Sequence, residues 1–283
     1  MISVVIPAHN ESTVIARALA AMTSGVDKDE LDVIVVCNGC SDSTASIARS
    51  FGHPVRVIET EIANKSNALN LGDQAVCAYP RIYADADVVV PLQTIRALAS
   101  RLEQGDVLAV APMAVVDVSG CSWFVRAYYK IRSHLPSSGE GIGGSGVYAL
   151  SESGRRRFGE FPNVVADDGY VRIQFTPKER ATLTFAASTV FAPRRIRNLI
   201  DIRARAYYGN LELGRMFPRL WRNRGESNHV ALVGLLGRLS LWPKLLVYYY
   251  VNLMGRAKAR RRSRGRSFSW ERDNTSRQVV TEH

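Results

Sequence analysis

Cysteine is scarce in this chain: there are four, Cys37, Cys40, Cys77 and Cys121. Cys37-Asn38-Gly39-Cys40 fits C-x-x-C, but no second such pair completes a zinc site, and the other two cysteines stand alone. Cys37 reads instead as the end of a buried strand and Cys40 as part of the loop that follows. A basic n-region and a small-residue cleavage site are also missing. The chain opens Met1-Ile2-Ser3-Val4-Val5-Ile6-Pro7, which is a strand pattern and not a signal peptide. Few cysteines and no export signal lead to the expectation of a reduced, cytoplasmic setting. An unbroken apolar run long enough to span a bilayer is lacking too, and so is any internal repeat. Positive charge has little spread. Of the net +11, seven Lys or Arg fall within residues 256–266, and setting them aside leaves +4. The basic character thus belongs to a tail, and no nucleic-acid partner is expected from it.

What is present is ordinary core material: 283 residues, 46% hydrophobic and 22% charged, enough for one large α/β domain with appendages. Short β-branched runs predict strands at 2–7, 31–37, 55–59, 81–84 and 107–112. Helical spacing lies between them, at about 10–22, 43–50, 64–77 and 94–102, with Val14, Ile15, Ala18, Leu19 and Met22 on one face of the first helix. Strict alternation of strand and helix implies a mostly parallel sheet covered by helices, an α/β fold. In such sheets ligands bind beyond the carboxyl ends of the strands. Three polar clusters fall there: Pro7–Glu11, Asn38–Asp42 and Asp85–Asp87.

The last cluster organises the rest. Tyr83-Ala84-Asp85-Ala86-Asp87-Val88-Val89-Val90 sets two carboxylates two residues apart. On extended backbone, residues i and i+2 point to one side, so the two would converge. Converging carboxylates repel unless a cation lies between them or one is protonated. A divalent metal, Mn²⁺ or Mg²⁺, suits such oxygen ligands and shares its shell with phosphates. The plain alternative is an Asp pair at a solvated turn.

Beyond residue 112 the pattern loosens. Residues 123–132 read as an amphipathic helix. Gly141, Gly143 and Gly146 satisfy G-x-G-x-x-G, but they follow a polar loop and precede a strand, the reverse of a dinucleotide fingerprint. They are expected to form a mobile glycine loop beside an acceptor. Asp167-Asp168 is a second acidic pair, in which one residue orients and the other acts, or which caps a helix. A strand at 182–191 precedes a helix bearing Arg203 and Arg205, either a solvated face or a phosphate clamp.

These residues carry a family likeness. Pro7-Ala8-His9-Asn10-Glu11, Asn38-Gly39-Cys40-Ser41-Asp42, Lys65-Ser66-Asn67-Ala68-Leu69-Asn70, Asp85-Ala86-Asp87 and Asp167-Asp168 resemble, in order, the P-x-x-N-E, D-G-S-x-D, K-x-x-A-L-N, D-x-D and E-D motifs of the family 2 inverting glycosyltransferases with the GT-A fold. Arg203-Ala204-Arg205 stands where processive members carry Q-x-x-R-W, without its Gln and Trp, which argues against a processive synthase. The resemblance covers roughly residues 1–212. It implies a metal on Asp87 and Asp85, and a UDP- or GDP-sugar pocket lined by Pro7, Ala8, Asn10, Glu11, Asn38, Asp42, Lys65 and Ala86. It implies Asp168 as catalytic base beside Asp167, Arg205 with Arg203 helping the diphosphate leave, and a glycan or lipid-linked acceptor in surface polysaccharide or glycolipid synthesis. Other readings are a nucleotidyltransferase, which should carry an Arg-bearing glycine loop where this chain has His9-Asn10-Glu11, and a non-catalytic membrane-tethered scaffold.

Residues 213–255 are read as apolar helices at a membrane interface, with Arg238 and Lys244 interrupting the apolar run and Pro243 breaking it. Residues 256–283 are read as a basic, disordered tail, so that the protein sits peripherally on the inner face of the cell membrane.

Overall fold

The computed structural model describes residues 1–225 and 228–264. Seven strands form one sheet: β1 (Ile2–Ala8), β2 (Leu31–Asn38), β3 (Val55–Thr60), β4 (Arg81–Ala84), β5 (Ala109–Asp117), β6 (Val147–Leu150) and β7 (Arg180–Phe191). Their order is β3-β2-β1-β4-β6-β5-β7. Every pairing is parallel except those of β6, which runs antiparallel to both β4 and β5. The mostly parallel α/β sheet expected from the alternation is therefore present, with one reversed strand that local pattern does not reveal. β5 and β7 shift register between Pro112 and Met113, where proline's missing N–H is tolerated.

Period-two alternation in the central strands assigns the helices to faces. Val4, Ile6, Val33, Val35 and Ile82 meet α1 (Ile15–Thr23), α2 (Thr44–Arg49) and α4 (Leu92–Glu103). Val5, Ile34, Val36 and Tyr83 meet α3 (Lys65–Ala75) and α7 (Asp167–Ile173). Strands buried on both faces need apolar residues at every position, so β1 and β2 read as continuous runs. The short α6 (Glu152–Arg155) is tied down by Arg155, which donates to Asp73 of α3 at 2.7 Å.

A second layer flanks the β5–β7 end. α5 (Trp123–Arg132), α8 (Ile196–Met216) and α10 (Trp242–Arg264) share a core of Val125, Tyr128, Leu199, Val247 and Val251. α9 (His229–Leu235) meets the α10 segment at 110°. Three expectations change here. A boundary at 212 would cut through α8, whose Leu213 is buried in the main core. Pro243 begins a helix instead of breaking one, because the first turn has no need of its N–H. The basic run is helical as far as Arg264, since Ala and Arg are strong helix formers and Ala259 is fully buried. The disorder expected for residues 265–283 lies outside the described residues.

Candidate active site

The carboxyl ends of β1, β2 and β4 open onto a cleft of about 1470 Å³. Pro7, Glu11 and Asn38 line it, and so does His9, which in the sequence is only one letter inside a motif. His9 Nδ1 lies 2.5 Å from the Asn38 carbonyl. Ala8, Asn10 and Asp42 are placed differently: Ala8 ends β1, and Asn10 and Asp42 build the loops that shape the pocket. The Ala8 carbonyl accepts from Asn38 Nδ2 at 2.8 Å. Asn10, in the left-handed region at φ 54°, accepts from Ser41 N at 2.7 Å. Asp42 accepts from the backbone N–H groups of Ser12 and Thr44. Burial pushes the pKa of the Cys37 thiol up to about 12, which keeps it from serving as a thiolate, and the Cys40 thiol donates to Ala8 O.

Asp85, Ala86 and Asp87 also line the cleft, but not on extended backbone. β4 stops at Ala84, and Val88 N donates back to Asp85 O at 3.3 Å to close a turn over Ala86-Asp87. The two carboxylates are thus presented by a turn. That turn is braced by the glycine loop: Asp85 N donates to Gly146 O at 2.8 Å. Gly146 has φ +66°, and a Cβ there would stand 2.5 Å from Val88 Cγ2 and 3.3 Å from Asp85 Oδ2. The loop expected to be mobile is therefore packed against the Asp turn. Asp87 faces the charge of Arg17 on α1, whose guanidinium stacks 3.7 Å over Phe191.

The electrostatic centre is Lys65, the first residue of α3. Its Nζ is 2.7 Å from Asp85 Oδ1 and 3.0 Å from Asp167 Oδ2. Burial opposes its charge, but Asp167, Asp85 and Asp168 outweigh that and hold it protonated above the usual lysine range. Three carboxylates around one ammonium leave this cluster net negative. Asp167 shows the consequence: burial, with Asp168 and Asp85 adding repulsion, raises its pKa to about 6 against the pull of Lys65. Neither Asp167 nor Asp168 is the cap of α7. Ala166 holds that position and the two acids form the first turn. Asp167 is buried against Lys65, whereas Asp168 is part-exposed and lies 3.8 Å from the Cβ position of Gly143. Arg172, one turn after Asp168 and so on the same helix face, also lines the cleft and donates to Glu140 at 3.1 Å. That i+4 spacing was the signal available for it.

The far wall of the cleft is helical. Arg203 and Arg205 both line it, but they leave α8 about 200° apart, as residues i and i+2 of a helix must, so they do not form one clamp. Arg203 lies 5.0 Å from the centroid of the Tyr207 ring, and its Nε is buried without a hydrogen-bond partner.

A sheet of this order with a cleft at its carboxyl ends, carrying an Asp-x-Asp turn, is the architecture of the GT-A nucleotide-sugar transferases. The family model described as glycosyl transferase family 2 matches residues 3–143. The chain belongs to that family. Among solved structures it is similar to the mannosyltransferase PcManGT from Pyrobaculum calidifontis, in complex with GDP-Man and Mn²⁺, at 20% identity and a TM-score of 0.63 over 91% of this chain and 86% of that one. It is also similar to glucosyl-3-phosphoglycerate synthase from Mycobacterium tuberculosis, in complex with Mn²⁺, UDP and glucosyl-3-phosphoglycerate, at 21% identity and a TM-score of 0.55 over 76% and 79%. At such identities the likeness establishes the fold. A curated relative, the probable glycosyltransferase YdaM of Bacillus subtilis (strain 168), is 37% identical over 91 residues. That match spans 28% of this chain and 22% of the relative's length.

Proposed function

We propose that the protein is a metal-dependent inverting glycosyltransferase that moves a sugar from a UDP- or GDP-sugar to an acceptor hydroxyl. The observation that carries this reading is Lys65 set among Asp85, Asp167 and Asp168 at the mouth of the nucleotide-side cleft.

The donor set fits a hard divalent ion only in company. Among the described residues no group of three or more His, Cys, Asp or Glu could hold a metal. Asp87 and Asp85 offer two carboxylates, and the remaining positions suit diphosphate oxygens and water, the habit of Mg²⁺ and Mn²⁺. When bound, the metal acts as a Lewis acid that neutralises the departing diphosphate. Lys65 holds Asp85 and Asp167 in place. Pro7, His9, Glu11 and Asn38 wall the nucleotide. Arg205 adds positive charge on the diphosphate side. Asp168, part-exposed and not held by Lys65, takes the acceptor hydroxyl proton. The acceptor oxygen bonds to the anomeric carbon as the bond from that carbon to the diphosphate breaks, which inverts the centre.

The acceptor reading is a glycan or lipid-linked molecule at the inner membrane face. No single described helix is long and apolar enough to cross a membrane, and α9 and α10 pass that test only together, bent by 110°. Their outer face is nonetheless apolar: Val230 is 83% exposed and Leu246 73%, and Leu239 in the turn between them is 71% exposed. Arg238, Lys244, Arg260 and Arg261 supply charge for anionic lipid.

Thermal melting against nucleoside diphosphates with and without Mn²⁺ tests the reading. A ligand at a hundred times Kd adds about 2.7 kcal/mol to stability. The expected result is a shift with UDP or GDP that needs Mn²⁺. A melt unmoved by every nucleoside diphosphate would overturn the proposal.

A further inference from the structure

The helical wall of the cleft holds positive charge that the donor side does not use. Arg132 ends α5, Arg203 is central in α8, and Arg256 lies on α10; all three line the cleft. Two nearby basic residues are paired: Lys258 with Asp201 at 2.5 Å and Arg172 with Glu140 at 3.1 Å. Among the described residues none of the three arginines is within ion-pair distance of a carboxylate. Arg203 is set among tyrosines. Its guanidinium lies 5.0 Å from the centroid of the Tyr207 ring, and Tyr128 and Tyr248 are its other close polar neighbours. Arg256 lies 5.2 Å from the centroid of that same Tyr207 ring. Gly255 permits the approach, since a Cβ there would stand 3.1 Å from Arg203 Cβ. Tyr207 is itself fixed, donating to the buried Asn252 at 2.6 Å. Arg203 is part-buried, and its buried, unused Nε–H with no counter-charge is costly unless an anion completes it.

The glycine loop joins this cluster to the proposed base. Gly143 brings its Cβ position to 3.8 Å from Asp168 Oδ2, and its neighbour Gly144 brings its own to 3.6 Å from Arg132 Nη2. Adjacent Cα atoms are 3.8 Å apart, so the base and the Arg132 guanidinium are at most about 13 Å apart, within the span of one small acceptor.

Resting on the transferase reading above, we propose that Arg132, Arg203 and Arg256 form an oxyanion subsite that grips a phosphate group carried by the acceptor, away from the hydroxyl that reacts. Guanidinium forks match phosphate oxygens two at a time, and tyrosine hydroxyls can complete the shell. The phosphate stays intact; only the glycosidic bond forms. The exposed apolar face of α10, with Leu246 and Leu253, runs on from this wall and suits a hydrocarbon tail.

Titration calorimetry of the full chain with inorganic phosphate, octyl phosphate and octyl glucoside tests this, alongside the nucleoside diphosphate identified by melting. The expected result is binding of a phosphate probe, none of octyl glucoside, and at least a tenfold loss of phosphate affinity in Arg132→Gln and Arg203→Gln with nucleotide affinity unchanged. Octyl phosphate binding tenfold more tightly than inorganic phosphate assigns a lipid phosphate; equal affinity assigns a soluble phosphate ester. Both support the subsite. Unchanged phosphate affinity in both variants overturns it, and so does parallel loss of nucleotide, which would return these arginines to the donor. Where Arg203→Gln fails to fold, Arg203→Lys takes its place, and the Nε–H resonances of the wild type should shift under octyl phosphate; resonances that stay put overturn the subsite. A wild type that binds no nucleotide overturns the transferase reading instead, so the two failures are distinguishable.

Discussion

Nζ of Lys65 lies 3.0 Å from Oδ2 of Asp167, although the two residues open different helices on the same face of the sheet. With Asp85 at 2.7 Å, the lysine is the tie between the Asp-x-Asp turn and the second acidic pair. Lys65→Met leaves three carboxylates facing one another. We expect a loss of about 2 kcal/mol, less than a fully buried pair because Asp85 is partly exposed. Mn²⁺ should raise the melting temperature of this variant more than that of the wild type. A variant that melts like the wild type would show that the tie carries no weight.

The two adjacent acids should separate by experiment. Asp168→Asn is expected to fold and bind nucleotide while transfer falls by roughly 10²–10⁴-fold, the usual worth of a positioned base. Asp167→Asn loses the Lys65 ion pair and should weaken nucleotide binding as well. Steady-state rates and nucleotide affinities, measured for both, check the assignment; wild-type transfer by Asp168→Asn would remove it as the base.

Asp167 also sets a pH dependence. Its folded-state pKa is raised to about 6 from an ordinary 3.8, so the folded protein binds more protons than the unfolded chain between those values. Stability from this group therefore falls as pH rises through that window. Asn cannot ionise, so the melting temperature of Asp167→Asn minus that of the wild type should grow from pH 4 to above pH 6. A flat difference would contradict the buried, repelled carboxyl.

Gly146 is the point where the glycine loop bears on the Asp85–Asp87 turn, the proposed metal site. Gly146→Ala places a methyl 2.5 Å from Val88 Cγ2 at a φ of +66° that alanine disfavours. A cost of about 1–3 kcal/mol is expected from the overpacking and strain. Displacement of Asp85 should also weaken Mn²⁺-dependent nucleotide binding. Calorimetry on the variant would show both effects, and intact Mn²⁺ dependence would separate the loop from the metal site.

The outer face of α10 predicts a lipid effect. Leu246→Glu and Leu253→Glu change residues that are 73% and 67% exposed, so folding should be unaffected. Co-sedimentation with vesicles containing phosphatidylglycerol should fall at least tenfold, whereas pure phosphatidylcholine vesicles should bind weakly throughout. Equal binding by variants and wild type would remove the interfacial reading.

Much of this is legible in the chain. The β-branched runs of β1 and β2, the apolar stripe Ile15, Ala18, Leu19, Met22 and the polar breaks after Pro7, Cys37 and Ala84 are patterns spanning a few residues, and they place the clusters at strand ends. Other features escape a local pattern for lack of range. Residue spacing implies extended geometry through Asp87, but the contact that bends the backbone there, Asp85 N to Gly146 O, comes from a residue far along the chain. Arg203 and Arg205 read as one basic motif, yet a continuous α8 sends them to different sides.

Residue periodicity and turn chemistry act between neighbours, so they suffice for the α/β alternation, for the acidic pairs and for the side of the sheet on which they lie. The reversal of β6, the joining of Lys65 to Asp167 and the tyrosine setting of Arg203 depend on which distant segments pack together. Those are decided by burial and charge balance over the whole molecule, and only the tertiary structure holds them.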